Sequence, residues 1–338
     1  MNGTSDALWA RHRVRLLRLV ACGALLALAN VSDGDRSEAK SGPLPEHEGL
    51  AARHADPQAL RRDPAVVFAE DAETIAADVV TSGFARDHRE AWNNAWDHTW
   101  GRVRVARDAP HVHRGARALE LGIHGRGGAG LSKRFSPGFD RLFLRYYIKY
   151  DEAFPGAHHV GGGLEGRAPG MPDATPGIKP DGTNKFTAIL DHWAFEPSVP
   201  PPGYLVAYVY HMDQVHEWGE QFYPSGKTQP GTNAARGFFG PSFVRRADFI
   251  PERGRWYCYE LMVQLNTPAQ RDGRIAFWVD GRLAADFFNL RFRTIDSLRI
   301  DRAEVSLYES RPMGPQRVWI DDVVAATSYI GPAAREGR

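Results

Sequence analysis

Alternating apolar and polar positions recur along the second two thirds of the chain, and this pattern predicts β-strands. The clearest instance runs from Trp256 to Leu265, where every second residue from Tyr257 onward is apolar or aromatic. The intervening positions mix aromatic and apolar residues with Glu260 and Gln264. Because successive side chains of a strand point to opposite faces, the first set is predicted to pack in a core. A core would not accept Glu260 and Gln264 without partners, so the mixed face is predicted to lie outside the core. A face that mixes aromatic rings with polar hydrogen-bonding groups is what an open carbohydrate cleft needs.

Similar segments, separated by Pro- and Gly-rich breaks, predict an all-β fold. Many strands, turn-rich connections and no long helix are typical of a two-sheet antiparallel β-sandwich, here with long rim loops and minor helices. The breaks at 155–184 and 213–245 are long for hairpins and are predicted to be functional rim loops. The predicted strands are Ala116–Gly122, Gly130–Phe135, Arg141–Tyr150, Phe186–Trp193, Tyr204–Met212, Trp256–Leu265, Arg274–Val279, Arg282–Phe287, Ile295–Tyr308 and Gln316–Ala325.

The first 29 residues have the pattern of an export signal. Four arginines over residues 11–18 precede an apolar run, and Ala27-Leu28-Ala29 fits a small-x-small cleavage site. The chain is therefore predicted to be secreted, extracellular or periplasmic, with no membrane contact apart from the signal. The predicted organisation is a signal peptide over 1–29, a disordered linker over 30–62, one carbohydrate-active domain over 63–332 and a tail over 333–338.

Charge and cysteine content narrow the class of function. The formal net charge of +1 over 338 residues argues against a dedicated nucleic-acid binder, which usually carries a basic excess. Cys22 would be removed with the signal, so Cys258 has no partner in the mature chain and is predicted to be a buried small apolar residue.

Charged, phenolic and imidazole side chains on several predicted strands suggest an acidic polysaccharide as the partner. Arginine and lysine bind carboxylates, and aromatic faces cover sugar rings. Elimination from a uronic acid needs a group that neutralises the carboxylate, a base for the C5 proton and an acid for the leaving oxygen. The predicted catalytic residues are Tyr210, Tyr208, His192 and His159; the predicted substrate contacts are Arg145, Lys149, Tyr147, Glu260, Gln264, Lys185 and His211.

No cofactor is required for this chemistry, but a structural calcium ion is a further expectation. Glu70 and Asp71 follow the short apolar run Asp63–Phe68, which is predicted to be the opening strand, and Asp322 lies in the last predicted strand. If the two ends of the domain pair, these carboxylates supply hard oxygen ligands that would clip the termini together.

Several of these stretches resemble the concanavalin A-like jelly-roll proteins, and most of all the secreted polysaccharide lyases of the alginate and glucuronan lyase type, family 14 and its bacterial relatives. The resemblance covers roughly residues 115–330 and implies β-elimination on an acidic glycan. The stretches that carry it are Gly254–Asn266, Trp278–Gly281, Val318–Val324, Arg145–Lys149 with Phe154–Gly156, and Tyr208–His211.

One position departs from that family. Its Gly-Gly-Lys-Leu-Pro-Gly stretch, whose lysine is implicated in catalysis, reads Gly161-Gly-Gly-Leu-Glu-Gly166 here, so Gly163 stands at the lysine position. Either His159 or Lys185 replaces the lysine, or lyase activity is absent. Two alternatives therefore remain: a non-catalytic, lectin-like glycan-binding protein, and a glycoside hydrolase that uses Glu260 with a second carboxylate. The Glu-x-Asp-x-x-Glu strand of the family 16 hydrolases does not occur, which disfavours the hydrolase.

Overall fold

The computed structural model describes residues 42–54, 56–75, 79–80, 95–172, 175–194, 198–227 and 244–333. The predicted signal peptide over 1–29, the first part of the predicted linker and nearly all of the predicted tail lie outside these ranges. Within them, no helix is long and apolar enough to cross a membrane.

The regular secondary structure of the described chain is almost entirely β, with two short α-helices and one 3-10 turn at Ala109–His111. The helices are α1 (Leu50–Arg53) and α2 (Pro57–Arg61). The strands are β1 (Val66–Glu70), β2 (Val79–Val80), β3 (His98–Trp100), β4 (Arg102–Ala106), β5 (Ala118–His124), β6 (Gly127–Phe139), β7 (Arg141–Tyr150), β8 (His159–Arg167), β9 (Lys185–Trp193), β10 (Tyr204–Tyr210), β11 (Glu220–Phe222), β12 (Trp256–Gln264), β13 (Gly273–Val279), β14 (Arg282–Leu290), β15 (Ile300–Glu309) and β16 (Pro315–Ala326).

The strands form two antiparallel sheets packed face to face. The back sheet has nine strands in the order β14-β13-β12-β7-β16-β5-β4-β2, with β1 also paired to β16. The front sheet has seven strands in the order β11-β10-β9-β8-β15-β6-β3. This architecture confirms the predicted two-sheet antiparallel β-sandwich.

The main core lies between the two sheets and is built from alternate residues of each strand. The predicted core face of β12, from Tyr257 through Leu265, is buried in it. Leu144 and Ile148 of β7 belong to the same cluster, together with Leu164 and Leu190 from the front sheet. Residues that alternate with these therefore point outward from the sandwich, away from the main core.

Most predicted strand bounds agree with the structure, and two local predictions are wrong. The strand over Arg141–Tyr150 has the predicted bounds. The Gly-rich stretch 158–166, predicted as a loop, instead forms β8 between β15 and β9, where its backbone completes two ladders of hydrogen bonds. The four-residue spacing of Trp92, Trp96 and Trp100 also predicts one helical face, but Trp100 is in β3, and Trp92 lies outside the described residues.

A second, smaller core covers part of the outer surface of the back sheet. Leu50, Ala51 and Leu60 pack there with Trp278 and Ile330. The indole nitrogen of Trp278 also donates a hydrogen bond to the Pro45 carbonyl at 2.8 Å. Residues 42–62 thus pack on the domain wherever they are described, and the predicted disordered linker is wrong over that part. Burial of their apolar side chains supplies the stabilisation that the polar composition did not indicate.

Candidate functional site

The predicted site residues lie in three separate places: the outer surface of the front sheet, the core, and the outer surface of the back sheet. His159, Lys185, Tyr208 and Tyr210 lie on the outer surface of the front sheet, which we call the front face. His192 and His211 alternate with these on β9 and β10 and point inward. The remaining predicted contacts lie on the outer surface of the back sheet, on the opposite side of the molecule; they are Arg145, Tyr147, Lys149, Glu260 and Gln264.

Glu260 and Arg145 bind the segment that follows β16 and do not form part of the front-face site. The two carboxylate oxygens of Glu260 accept hydrogen bonds from the backbone N–H groups of Ile330 and Gly331, each at 2.8 Å. Arg145 donates to the carbonyls of Gly331 and Asp322, each at 3.2 Å. Burial raises the pKa of Glu260 to about 7. The prediction that these two side chains contact substrate in one cleft with the tyrosines is therefore wrong.

The other three residues predicted to share that cleft also lie on the back sheet. The Tyr147 hydroxyl accepts a hydrogen bond from the Ala333 N–H at 2.9 Å, and the Lys149 ammonium donates to the Pro110 carbonyl at 2.6 Å. Gln264 lies in register between Arg141 and Arg274. These contacts correct the predicted substrate roles, because none of the three residues reaches the front face.

The two inward-pointing histidines are core residues. His192 Nε2 accepts from the Tyr150 hydroxyl at 2.5 Å, and its Nδ1–H donates to the Gly203 carbonyl at 3.3 Å, in the tautomer that these partners require. Burial lowers the pKa of His192 to about 4. The His211 ring is fully buried, with Nε2 at 3.0 Å from Glu220 Oε2. Neither histidine can meet a polysaccharide, which corrects their predicted catalytic and substrate roles.

The three residues predicted to bind calcium all line one small pocket. Asp71 forms an ion pair with Arg61 at 2.7 Å, and Glu70 Oε1 accepts from the Ala72 N–H at 2.7 Å. Arg61 and Arg145 line the same pocket as Glu70, Asp71 and Asp322. Among the described residues, no group of three or more His, Cys, Asp or Glu side chains is arranged to hold a metal ion. The geometry gives this expectation no support.

The front face carries a histidine that is oriented by a buried carboxylate. His159 Nδ1 lies 2.6 Å from Asp191 Oδ2, and the His159 side chain is 20% exposed whereas that of Asp191 is fully buried. Asp191 Oδ1 accepts the N–H groups of Val160 and His192 at 2.9 and 2.7 Å. With the carboxylate fixed in this way, His159 Nδ1 carries the proton, and Nε2 keeps its lone pair free to accept one.

Two tyrosines of β10 lie near this histidine, on the far side of β9. The Tyr208 ring centroid is 4.8 Å from that of His159, and the Tyr208 hydroxyl lies 3.4 Å from the Tyr210 hydroxyl. Burial, reinforced by Tyr210, raises the pKa of Tyr208 well above its usual value. Tyr208 is therefore a neutral phenol that can donate a proton.

Lys185 approaches the tyrosines from the far end of β9. Its ammonium lies 3.6 Å from the Tyr210 ring centroid, a cation–π contact, and donates to the carbonyl and hydroxyl of Thr175 at 2.7 and 3.0 Å. Burial lowers the pKa of Lys185 to about 8, although the nearby Glu165 opposes the shift. Of the predicted substrate contacts, Lys185 alone shares the face with Tyr208 and Tyr210.

Aromatic rings and an amide extend the face on either side of this cluster. Gln221 is the register partner of Tyr208 on the edge strand β11, and directly opposed residues share a face. Trp193 is the register partner of Tyr204 at the end of β9. Trp100 lies against Gly130, where an added Cβ would be 2.5 Å from the Trp100 ring, so only glycine permits this approach.

Carboxylates and arginines occupy the part of the front face that β8 and β15 form. Arg167 forms an ion pair with Glu165 at 2.5 Å. Glu304 is the register partner of Gly163, the position of the family lysine, and its carboxylate accepts from the Ser306 hydroxyl at 2.9 Å. Burial, together with Glu165, raises the pKa of Glu304 to about 7. A carboxyl group that can hold a proton near neutral pH therefore lies opposite Gly163.

Asp191 was missed by the sequence analysis although the necessary signal was present. Along β9, Phe186, Ala188 and Leu190 are the apolar set, and His192 continues it. Asp191 belongs to the alternate set with Lys185, so the period of two places the aspartate, and not His192, on the front face. Gln221 lies in a three-residue strand, which is too short to show any period.

Comparisons with solved structures show what this fold is similar to. The alginate lyase Aly36B superposes with a TM-score of 0.53 at 16% sequence identity, covering 77% of this chain and 96% of that one. A variant of Aly36B in complex with alginate tetrasaccharide gives a TM-score of 0.52 at 17% identity, covering 78% of this chain and 98% of that one. The alginate lyase of Aplysia kurodai gives 0.48 at 16% identity, with coverages of 78% and 99%.

No protein-family model matches the sequence, and no curated protein matches it. At these identities a structural match reports shared architecture, while function depends on the residues of the site. The chain therefore has the β-sandwich jelly-roll fold that the alginate lyase Aly36B also has.

Proposed function

We propose that this protein is a secreted polysaccharide lyase that cleaves an acidic, uronic-acid-containing glycan by β-elimination on the front face. The observation that carries the proposal is the contact across β9 between His159 on β8, held by Asp191, and Tyr208 on β10. An acceptor and a donor of protons thus lie close together on one face of the front sheet. The export part of the proposal rests on the sequence pattern of residues 1–29.

The proton transfers follow from the protonation states of the two side chains. His159 Nε2 takes the proton from C5 of the uronate, the electron pair forms the C4–C5 double bond, and the bond from C4 to the glycosidic oxygen breaks. Tyr208 donates its hydroxyl proton to that oxygen and can be reprotonated through the Tyr210 hydroxyl, 3.4 Å away. A histidine oriented by a carboxylate is a suitable base near neutral pH.

Acidity at C5 also requires that the substrate carboxylate be neutralised. Gln221, opposite Tyr208, offers amide N–H donors, and Lys185 offers a positive charge beside Tyr210. Preorganised donors of this kind stabilise the enolate-like charge that develops on the carboxylate in the transition state. Trp193 and Tyr204 present aromatic faces on which neighbouring sugar rings can stack.

The fold supports the proposal without deciding it. The chain shares its architecture with Aly36B, whose structure has been described with alginate trisaccharide and tetrasaccharide. In this chain the lysine position of the related lyases is Gly163, so the base must come from elsewhere on the face. His159 satisfies that need, because it lies on the same strand and on the same side of the sheet as Gly163.

One observation favours a non-catalytic glycan-binding protein as the second candidate. Gly219 lies directly on the tyrosines: an added Cβ would be 2.8 Å from Tyr208 Cζ and 3.0 Å from Tyr210 Cδ2. The Gly219 N–H also donates to the Tyr208 hydroxyl at 3.1 Å. Tyr208 and Tyr210 are only 7% and 5% exposed as a result. A lyase would have to shift this loop to admit the leaving oxygen.

The two candidates are separated by incubating the full chain with alginate, glucuronan and related polyuronates and following the ultraviolet absorbance of unsaturated uronides. We expect the absorbance to rise with at least one of these polymers. Binding without any product on the whole panel would support the glycan-binding protein, and new reducing ends without the double-bond chromophore would indicate a hydrolase.

A further inference from the structure

The back of the molecule carries a second depression that the proposed reaction does not use. It consists of two adjoining cavities, of about 810 and 680 Å³, that share His47 and Asp280 as walls. Each has the size of a small-molecule or oligosaccharide site. We call the two cavities together the back groove. Its floor includes Tyr147 and Cys258 of the back sheet, so the whole sandwich separates it from the front face.

Arginines dominate the charge of the back groove. Arg114 lines the first cavity, and Arg246, Arg255 and Arg282 line the second. Asp280 is the one acidic residue among the described residues that line either cavity. It forms an exposed ion pair with Arg255 at 3.2 Å, which leaves the groove with a clear positive excess. The whole chain carries a formal net charge of only +1, so this excess is local.

Aromatic side chains line the first cavity beside these charges. The His113 ring stacks on Tyr147 with centroids 3.6 Å apart, and the Trp256 ring lies edge-on to His113 at 5.7 Å. The indole nitrogen of Trp256 is buried, and no group among the described residues accepts a hydrogen bond from it. The part of Trp256 that lines the cavity is therefore its ring and not its N–H group.

We propose that the back groove is a non-catalytic binding site for an anionic oligosaccharide. Guanidinium groups recognise carboxylates through paired hydrogen bonds, and an indole ring offers a stacking face to a sugar. The choice of a uronate ligand rests on the proposed function. Single-stranded nucleic acid fits less well, because it is held by a series of aromatic platforms along the backbone, and this groove has one indole.

A binding site on the side of the molecule opposite the front face would hold the polysaccharide while the front face acts on another part of the same polysaccharide molecule. Two linked binding events raise the effective concentration of substrate at the active face without any new contact there. The back groove would therefore matter most on long polymers and at low polymer concentration.

The test is affinity electrophoresis of the full chain in gels that contain polyuronate, with a His159→Asn background so that the polymer stays intact. In that background, Arg246→Gln combined with Arg282→Gln removes two charges from the groove without deleting side-chain volume in the core. We expect the apparent affinity for the polymer to fall about tenfold, because hydrogen bonds to charged groups are lost. Arg126→Gln, an exposed arginine in the β5–β6 turn, is the matched control and should leave retardation unchanged.

Equal retardation of the groove variant and the Arg126→Gln control would overturn the inference, and so would the absence of any retardation in the His159→Asn background. Stronger retardation in gels that contain single-stranded DNA than in polyuronate gels would overturn it as well. The outcome is separable from the proposed lyase activity. Arginine-dependent retardation by a protein that forms no unsaturated product would reject the lyase and keep the binding site. Product formation with arginine-independent retardation would keep the lyase and reject the binding site in the back groove.

Discussion

Asp191 and His192 are neighbours in β9, yet they face opposite environments. Asp191 lies on the front face, where its carboxylate orients His159 and accepts two backbone N–H groups. His192 points into the core and is satisfied by Tyr150 and Gly203. The same residue type thus has two fates within one sheet: His159 keeps a free lone pair at the surface, and His192 is held neutral inside.

Replacing the orienting carboxylate tests the role of His159 as base. In Asp191→Asn the amide can present its NH₂ group to His159 Nδ1, which favours the tautomer with the proton on Nε2 and removes the lone pair that accepts the C5 proton. We expect kcat on polyuronate to fall by about 10²-fold or more while KM changes little. Asp151→Asn, which breaks only the surface pair with Arg317, is the control. Parent-like kcat in folded Asp191→Asn would show that His159 does not act as proposed.

The low pKa of His192 predicts a specific dependence of stability on pH. Its folded-state pKa is about 4, whereas the unfolded value is 6.5, so the unfolded chain binds more protons between these values. Stability therefore rises with pH from about 4 to 6.5 and is lost as pH falls through that window, by about 3 kcal/mol at most.

Urea unfolding at a series of pH values checks this contribution. In His192→Asn the slope between pH 4 and 6.5 should flatten, even though the variant is less stable overall. His216→Asn, at an exposed position, should keep the parent slope. An unchanged slope in His192→Asn would mean that another group dominates the acid destabilisation.

At the scale of elements, the pairing of β7 with β12 explains why charged residues can be buried on the back sheet. Glu260 and Arg145 are register partners in these two strands. Both bind the segment after β16, Glu260 through the N–H groups of Ile330 and Gly331, and Arg145 through the Gly331 carbonyl. The mixed face of β12 is thus the attachment site of the chain's own C-terminal segment.

This attachment predicts a stability effect without a catalytic effect. In Glu260→Gln one carboxylate oxygen becomes an NH₂ group that faces a backbone N–H, so an acceptor is lost and two donors oppose each other. We expect the free energy of unfolding at pH 8, where the Glu260 carboxylate is ionised, to fall by about 2–3 kcal/mol. Glu152→Gln, at an exposed position, is the control. If Glu260→Gln lost turnover while remaining as stable as the parent, the original substrate role would be restored.

The strands were predictable because alternation is a local property of the sequence. The faces of β7, β10 and β12 follow the pattern of apolar residues, and each apolar set is buried in the main core. Strand β8 was not predictable, because Gly161, Gly162 and Gly163 remove the side chains that would show a period. Its assignment depends on the two neighbouring strands, which the local sequence does not reveal.

At the scale of the whole molecule, the sequence could group residues by face but could not assign the faces to a common surface. Alternation shows that Arg145 shares a side with Tyr147, and Tyr208 with Tyr210. It does not show that β7 and β10 belong to different sheets. The strand order depends on long-range pairing, so five predicted contacts were placed on the wrong side of the sandwich.

The sandwich consequently has two distinct polar surfaces. The front face combines an oriented histidine, neutral phenols and a buried lysine, which is a set suited to proton transfer. Residues 42–62 and the segment after β16 pack on the back sheet wherever they are described, and this sheet also carries the arginine-lined back groove. We propose that bond cleavage takes place on the front face alone.

The most direct test removes one hydroxyl oxygen on each side of the sandwich and compares the two effects on the reaction rate. Tyr208→Phe and Tyr147→Phe each remove one tyrosine hydroxyl from a buried strand position, the first on the front face and the second on the back sheet. The measurement is the rate at which unsaturated uronide forms from the polyuronate that the parent protein cleaves fastest. We expect Tyr208→Phe to lower the rate at least about 10²-fold and Tyr147→Phe to leave it within about twofold of the parent. Equal rates for the two folded variants, or loss in Tyr147→Phe alone, would contradict the account.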